Sequence, residues 1–296
     1  MHESQPAATD CLRRSLLISV AELATDLRAA ARPVVVDCRF NLSDPDAGRR
    51  AYDAGHLPGA YYADLDRDLA APPGPRTGRH PLPDPAALAA VFSRFGIGRE
   101  SRVVAYDEGG GMLAARLWWL LRWMGHRDVV LLDGGLGAWL KAGYPLDDVT
   151  PPDHTNGHFE GTPGHMPVMP TADIERALAE GSIRLLDVRA RERYEGRHEP
   201  IDPVAGHVPG AINAPCMDNL DADRRFRAGP ELAARHAPLI TGHRGRDIVC
   251  MCGSGVTACH GILALELAGI HGAALYPGSW SEWIRSPDRP RQPTTL

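Results

Sequence analysis

The sequence has no run of apolar residues approaching 18, so it contains no candidate membrane-spanning helix. It also lacks an excess of positive charge. Lys and Arg total 32 against 37 Asp and Glu, a net charge of -5, which gives no electrostatic case for binding nucleic acid or an anionic membrane. Cysteine is sparse. Six in so long a chain, unevenly placed, are too few for a disulfide framework. They read as reduced thiols, most of them small buried hydrophobes. The opening stretch "MHESQPAATDCLRRSLLISVAEL" has a weak basic pair, a short apolar patch and no clear cleavage site. It does not read as a secretory signal, and the expected location is cytoplasmic. What remains is ordinary globular composition, 44% hydrophobic and 23% charged. The 296 residues suit two domains of roughly 130 to 150 residues each.

The two domains are visible as an internal repeat. The first half contains "PVVVDCRF" (33–40), "AGHLPGAYYAD" (54–64), "SRVVAYDEGGGMLAARLWWLLRWMGH" (101–126) and "VVLLDGGLGAWLKAG" (129–143). The second contains "IRLLDVRARERYEG" (183–196), "AGHVPGAINAP" (205–215), "DIVCMCGSGVTACHGILALELAGIH" (247–271) and "GAALYPGSWSEW" (272–283), in the same order. Val34–Val36, Val103–Ala105 and Val129–Leu132 are apolar runs without polar alternation, which suits strands buried on both faces of a parallel sheet. Ala86–Phe95 and Ala114–Met124 have helical spacing. The fold class is therefore α/β, two tandem domains, each a parallel sheet flanked by helices. Residues 1–15 read as a tail, 16–146 as the first domain, 147–170 as a Pro-, Gly- and His-rich linker, and 171–296 as the second domain.

The chemistry concentrates in "IVCMCGSGVTA" (248–258). Cys252 follows a strand-like run, and a helix-like stretch, Thr257–Leu267, comes after the loop. Such a unit turns backbone N–H groups and the positive end of a helix dipole toward the loop. Gly253 and Gly255 let those groups converge into an anion-binding nest. A thiol at its mouth should ionise easily and act as a nucleophile. Phosphatases that form a cysteinyl-phosphate close such a loop with an Arg six positions after the Cys; here that position is Ala258, so a phosphoryl dianion has no clamp. A persulfide, one extra sulfur, is the better adduct.

These elements together resemble the tandem-domain rhodanese-like sulfurtransferases, over about residues 16–285. "GHLPGA" (55–60) and "GHVPGA" (206–211) are similar to a recurrent element of that family, as is "LDVRARERYEG" (186–196). "CGSGVTA" is similar to the loop of its 3-mercaptopyruvate-using members, whereas thiosulfate-preferring members usually have basic residues directly after the Cys. The resemblance implies that Cys252 takes sulfur from a small-molecule donor as a persulfide. A thiol, a thioredoxin-like protein or cyanide then accepts it, with no metal or organic cofactor. It implies that Arg193 holds the donor's anionic tail, a role for which the planar guanidinium fork is suited. It implies that Gly253, Ser254, Gly255, Val256 and Thr257 line the donor site. Ser254, His80 and Asp66 are the counterparts of a proton relay that would protonate the enolate as sulfur leaves. Asp64 and Asp68 compete with Asp66 for that place. For Ser254 and His80 a structural role is the alternative.

Two departures matter. The first half has Asp107 where the second has its thiol. A carboxylate cannot accept sulfane sulfur, so that half reads as a non-catalytic copy. The mercaptopyruvate-type members usually carry a second Arg nine residues beyond the first; here that residue is Asp202, with Arg197 as a nearby substitute. Thiosulfate:cyanide sulfur transfer is therefore kept as the alternative activity, and a rhodanese-like binding module without catalysis as the alternative class. His56 and His207 occur in both halves and read as structural, bonding the backbone of the turn. Cys250, Cys252, Cys259 and His260 have a spacing that is not a usual zinc pattern. Trp280 is placed to wall the site, and the other tryptophans read as core.

Overall fold

In the computed structural model, which describes residues 10–154 and 157–292, the valine-rich runs form parallel strands. The chain divides into two units by its own contacts. One contains residues up to Ala71, Pro83–His165 and Asp221–Phe226; the other contains Pro72–Leu82, Met166–Leu220 and residues from Arg227 onward.

The elements of the first unit are β1 (Leu17–Ile18), α1 (Val20–Asp26), β2 (Val34–Asp37), α2 (Ala47–Ala54), β3 (Tyr61–Tyr62), α3 (Pro85–Arg94), β4 (Val103–Tyr106), α4 (Ala114–Trp123), β5 (Val129–Leu132) and α5 (Gly135–Lys141). The strand order is β1-β5-β4-β2-β3, all parallel. Strands β4 and β5 are buried along their whole length, which is why no polar residue alternates there; each such Val or Leu contributes about 1.5–3 kcal/mol by leaving water. Local chemistry sets the helix starts. Ser19 and Glu22 form a reciprocal capping box at α1. Asp84 accepts the N–H groups of Ala86 and Ala87 ahead of α3, whose first residue is a proline. The stretch read as a linker is tied along this unit as far as residue 165: His154 N–H donates to the Arg94 carbonyl at 3.0 Å, and buried Phe159 packs edge-on against Phe92 at 4.9 Å.

The second unit repeats the plan with α6 (Thr171–Glu180), β6 (Arg184–Asp187), α7 (Arg191–Tyr194), β7 (Ile212–Asn213), α8 (Gly229–His236), β8 (Ile248–Met251), α9 (Thr257–Leu267), β9 (Ala274–Leu275) and α10 (Ser279–Trp283). Its strand order is β7-β6-β8-β9, again all parallel. Val168 adds a parallel bridge to Leu275, at the position β1 takes in the first unit. Two-residue strands such as β3, β7 and β9 carry too little periodicity to be read from sequence. Among the described residues no helix is long and apolar enough to cross a membrane.

The duplicated histidines do the same work twice. His56 Nδ1 meets the Tyr52 carbonyl at 2.9 Å and stacks on the Tyr52 ring at 3.9 Å. His207 Nδ1 meets the Tyr194 carbonyl at 2.8 Å and stacks on Tyr194 at 3.8 Å. The partner is the preceding helix rather than the turn itself. Trp280 is fully buried; its Nε1 donates to the Val204 carbonyl, and it belongs to the core of the second unit with Val249, Met251 and Tyr276.

Burial depresses the pKa of His126, His207 and His236 below the ordinary 6.5. The unfolded chain therefore takes up these protons first as pH falls. The stability these neutral rings contribute is complete above about pH 6.5 and is lost below it. Asp133, raised by burial, acts in the opposite sense, but from the lower carboxylate range. The thermal midpoint is expected to fall between about pH 7.5 and 5.5, and His236→Gln is expected to flatten the fall. A midpoint that rises over this range contradicts the assignment.

Candidate active site

At the carboxyl end of β8 the chain leaves the sheet at Cys252, crosses four residues and enters α9. Functional loops occupy this place in parallel α/β sheets. The loop is fastened at its first two residues. Cys252 N–H donates to Ser279 Oγ at 3.0 Å, the Cys252 carbonyl accepts from Trp280 N–H at 3.0 Å, and the Gly253 carbonyl accepts from Ser281 N–H at 2.8 Å. Ser279 holds a φ of 51°, a left-handed backbone that is uncommon for a residue with a side chain. It reaches back to the Tyr276 carbonyl at 2.8 Å. Helix α10 thus serves as a bracket for the cysteine.

Gly255 turns the loop. Its φ is 78°, and a Cβ there would lie 2.4 Å from the Pro277 carbonyl oxygen, so no other residue fits. The turn brings the Gly255 N–H to 3.1 Å from Cys252 Sγ. Val256 and Thr257 follow at the start of α9, so the helix's positive end also faces the loop. Cys252 is 2% exposed.

Three sequence-predicted residues meet here. His80 Nδ1 lies 2.7 Å from Ser254 Oγ, both buried. His80 comes from residues 72–82, which cluster with the second unit although they precede most of the first in sequence. Arg193, on α7, faces Gly253: a Cβ on that glycine would lie 3.4 Å from Arg193 Nη2 and 3.6 Å from Nη1. Asp66 belongs to the first unit. Its carboxyl is pushed up by burial and by Asp64. The competing Asp64 and Asp68 are engaged locally: Asp64 Oδ1 accepts the N–H groups of Asp66 and Arg67, and Asp68 bonds Asp64 N–H and Arg94.

Sequence reasoning missed the acidic frame around Arg193. Glu199 accepts from its Nε at 2.9 and 3.0 Å, and Asp202 accepts from its Nη2 at 3.0 Å. It missed Arg79 as well, whose Nη1 also bonds Asp202 and whose Nη2 would lie 2.9 Å from a Cβ at Gly253. Arg197, the substitute suggested by proximity in sequence, instead pairs with Glu195 at 2.5 Å and is exposed. The one signal available was the Arg-His pair in "TGRHPL".

The matching loop of the first unit shows the other use of the same backbone. Asp107 accepts four N–H groups: Gly109 at 3.0 Å and Gly111 at 3.1 Å on one oxygen, Leu113 at 2.8 Å and Ala114 at 3.2 Å on the other. The nest is filled by the chain's own carboxylate.

Known proteins are similar to this chain along most of its length. The rhodanese-like domain matches residues 19–142 and again 171–286. A probable 3-mercaptopyruvate sulfurtransferase of Pseudomonas aeruginosa is 49% identical over 280 residues, covering 92% of this chain and 98% of that protein. A putative thiosulfate sulfurtransferase of Mycobacterium tuberculosis is 39% identical over 287 residues, 94% of this chain and 97% of that one. The structure of 3-mercaptopyruvate sulfurtransferase from Leishmania major matches with a TM-score of 0.79 at 29% identity, covering 90% of this chain and 74% of that one. With a rhodanese-like domain in each half and sulfurtransferases as relatives along nearly its whole length, the chain belongs to the tandem-domain rhodanese-like sulfurtransferases.

Proposed function

We propose that this protein transfers sulfane sulfur from 3-mercaptopyruvate to a thiol, a thioredoxin-like protein or cyanide, through a persulfide on Cys252. The observation that carries this reading is the Gly255 N–H donated to Cys252 Sγ at 3.1 Å, beside the bonded Ser254–His80 pair. Backbone dipoles at Sγ stabilise negative charge on the nucleophile and on the outer persulfide sulfur. The Cys252 thiolate attacks the donor sulfur, the donor's C–S bond breaks, and its electron pair moves into the pyruvate enolate. The proton of the donor thiol is carried by Ser254 and His80 to the methylene carbon, which releases pyruvate. An acceptor thiolate then attacks the outer sulfur, leaves as a persulfide and restores the Cys252 thiolate. No metal or organic cofactor is needed, since the sulfur rides on cysteine.

Arg193 binds the donor's carboxylate, and residues 253–257 line its other side. The first domain, residues 16–146, is a non-catalytic copy, a role supported by the carboxylate of Asp107 in its nest, and residues 171–296 form the catalytic domain. The expected compartment is the reducing cytoplasm, a reading supported by six cysteines that form no disulfide among the described residues.

Thiosulfate is the competing donor. Glu199 and Asp202 neutralise the guanidinium groups over Gly253, which favours a monoanion over a dianion. Steady-state turnover with a thiol acceptor is expected to give a kcat/KM for 3-mercaptopyruvate at least about tenfold above that for thiosulfate. The reverse order assigns the site to thiosulfate.

A further inference from the structure

Asp202 stands where the sequence resemblance led to the expectation of a second cation, yet the site does not lack one. The two oxygens of its carboxylate are divided between two guanidinium groups. Oδ1 accepts from Arg79 Nη1 and Oδ2 from Arg193 Nη2. The Asp202 side chain is only 1% exposed and the two arginines are half-buried around it, so this is an inward-facing cluster rather than a surface ion pair. The segment that brings Arg79 is fixed in place. Arg79 N–H donates to Ser281 Oγ at 3.1 Å, Gly78 N–H to Glu282 Oε2 at 3.3 Å, and Arg285 Nε to the Thr77 carbonyl at 3.3 Å. All three anchors lie on α10 or just beyond it, the helix that also brackets Cys252. Both guanidinium groups lie over Gly253, directly after the cysteine: a Cβ there would be 2.9 Å from Arg79 Nη2 and 3.4 and 3.6 Å from Arg193 Nη2 and Nη1. A side chain at that position would push the Arg79 guanidinium aside.

We propose that Arg79 supplies the second guanidinium of the donor site, so that the donor's carboxylate is seated between Arg79 and Arg193 above Gly253, and that Asp202 is a positioning residue holding both cations there. The inference rests on the reading of the site as one for a thiol-bearing α-keto acid. A carboxylate has two oxygens and accepts one N–H from each arginine, the geometry that paired guanidinium groups recognise best. The two arginines and their two carboxylates, Asp202 and Glu199, leave no formal net charge, so the seat suits a single negative charge.

The test is a set of steady-state measurements with 3-mercaptopyruvate on the full chain. Arg79→Gln is expected to raise KM by about 10- to 100-fold, with a much smaller fall in kcat. Asp202→Asn, which keeps the shape but frees the arginines from their common anchor, is expected to raise KM by a smaller factor. The exchange Arg79→Asp with Asp202→Arg keeps the pair between these two positions, leaves Arg193 to Glu199, and moves the second guanidinium to the other partner. It is expected to bring KM back to within about threefold of the parent. An Arg79→Gln variant with KM within about twofold of an active parent overturns the inference and leaves the donor reading intact. So does a variant that loses kcat and thermal midpoint together while KM stays near that of the parent, because a merely structural arginine would behave that way. A parent protein with no turnover on 3-mercaptopyruvate overturns the donor reading, and this inference with it.

Discussion

Replacing Cys252 with Ser is expected to reduce sulfur transfer at least about 10³-fold while the thermal midpoint stays within about two degrees. Oxygen for sulfur is nearly isosteric, and the bonds that fasten the loop run through the Cys252 backbone, so the fold has little reason to respond. The chemistry has every reason to respond, because a serine hydroxyl has neither the acidity nor the affinity for sulfane sulfur of a thiol. No neighbouring cysteine is placed to take over. Cys250 is fully buried in β8, with its thiol pushed well up by burial. Cys216 is pushed up to about 12, also chiefly by burial. Cys259 lies in α9 with its Sγ turned to the Gly255 carbonyl at 3.4 Å. At neutral pH Cys216 and Cys250 stay protonated, and a protonated thiol does not accept sulfur by nucleophilic attack. The check is turnover with a thiol acceptor, alongside thermal unfolding.

The second large effect is on stability. Asp187→Ala is expected to destabilise the second unit by about 3–5 kcal/mol, because it strands a buried guanidinium. Arg189 is 1% exposed at its side chain and Asp187 is 0% exposed. Arg189 gives Nε to both Asp187 oxygens at 3.0 Å and Nη2 to Asp187 Oδ2 at 2.6 Å and to the Gly206 carbonyl at 2.8 Å, and its guanidinium carbon lies 4.9 Å from the centre of the Trp280 ring. With Asp187 gone, Glu199 at 3.4 Å is the carboxylate left to Arg189, and it is the same residue that holds Arg193. The variant should therefore show a raised KM as well as a lower urea midpoint. Asp37→Ala makes the same cut in the first unit, where Arg39 is paired with Asp37 at 2.7 Å and, among the described residues, shares no second carboxylate with another arginine. It should cost similar stability without that route to KM. A urea midpoint unchanged by Asp187→Ala contradicts this account of the pair.

What could be read from the sequence was local. The strands β4, β5 and β8 are uninterrupted apolar runs, and their all-buried pattern follows from a sheet covered on both faces. The cysteine loop was legible because glycines, a preceding strand and a following helix lie within a dozen residues. The fate of Asp107 was half legible: the missing thiol showed, but the four N–H groups its carboxylate satisfies did not. Arg79 was invisible for a physical reason. It meets Asp202 across 123 positions of sequence, from a Pro- and Gly-rich stretch with no periodicity to say which way it folds. Asp202 was noticed as a departure, but its sign alone did not show that its carboxylate is shared between two arginines.

The most direct test of the central claim is the intact mass of the native protein after a short incubation with 3-mercaptopyruvate, followed by peptide mapping. A gain of one sulfur is expected, located on the peptide that carries Cys252 and discharged by added thiol. Protein of unchanged mass under conditions where Cys252 remains a free thiol, or sulfur found on another cysteine, would contradict it.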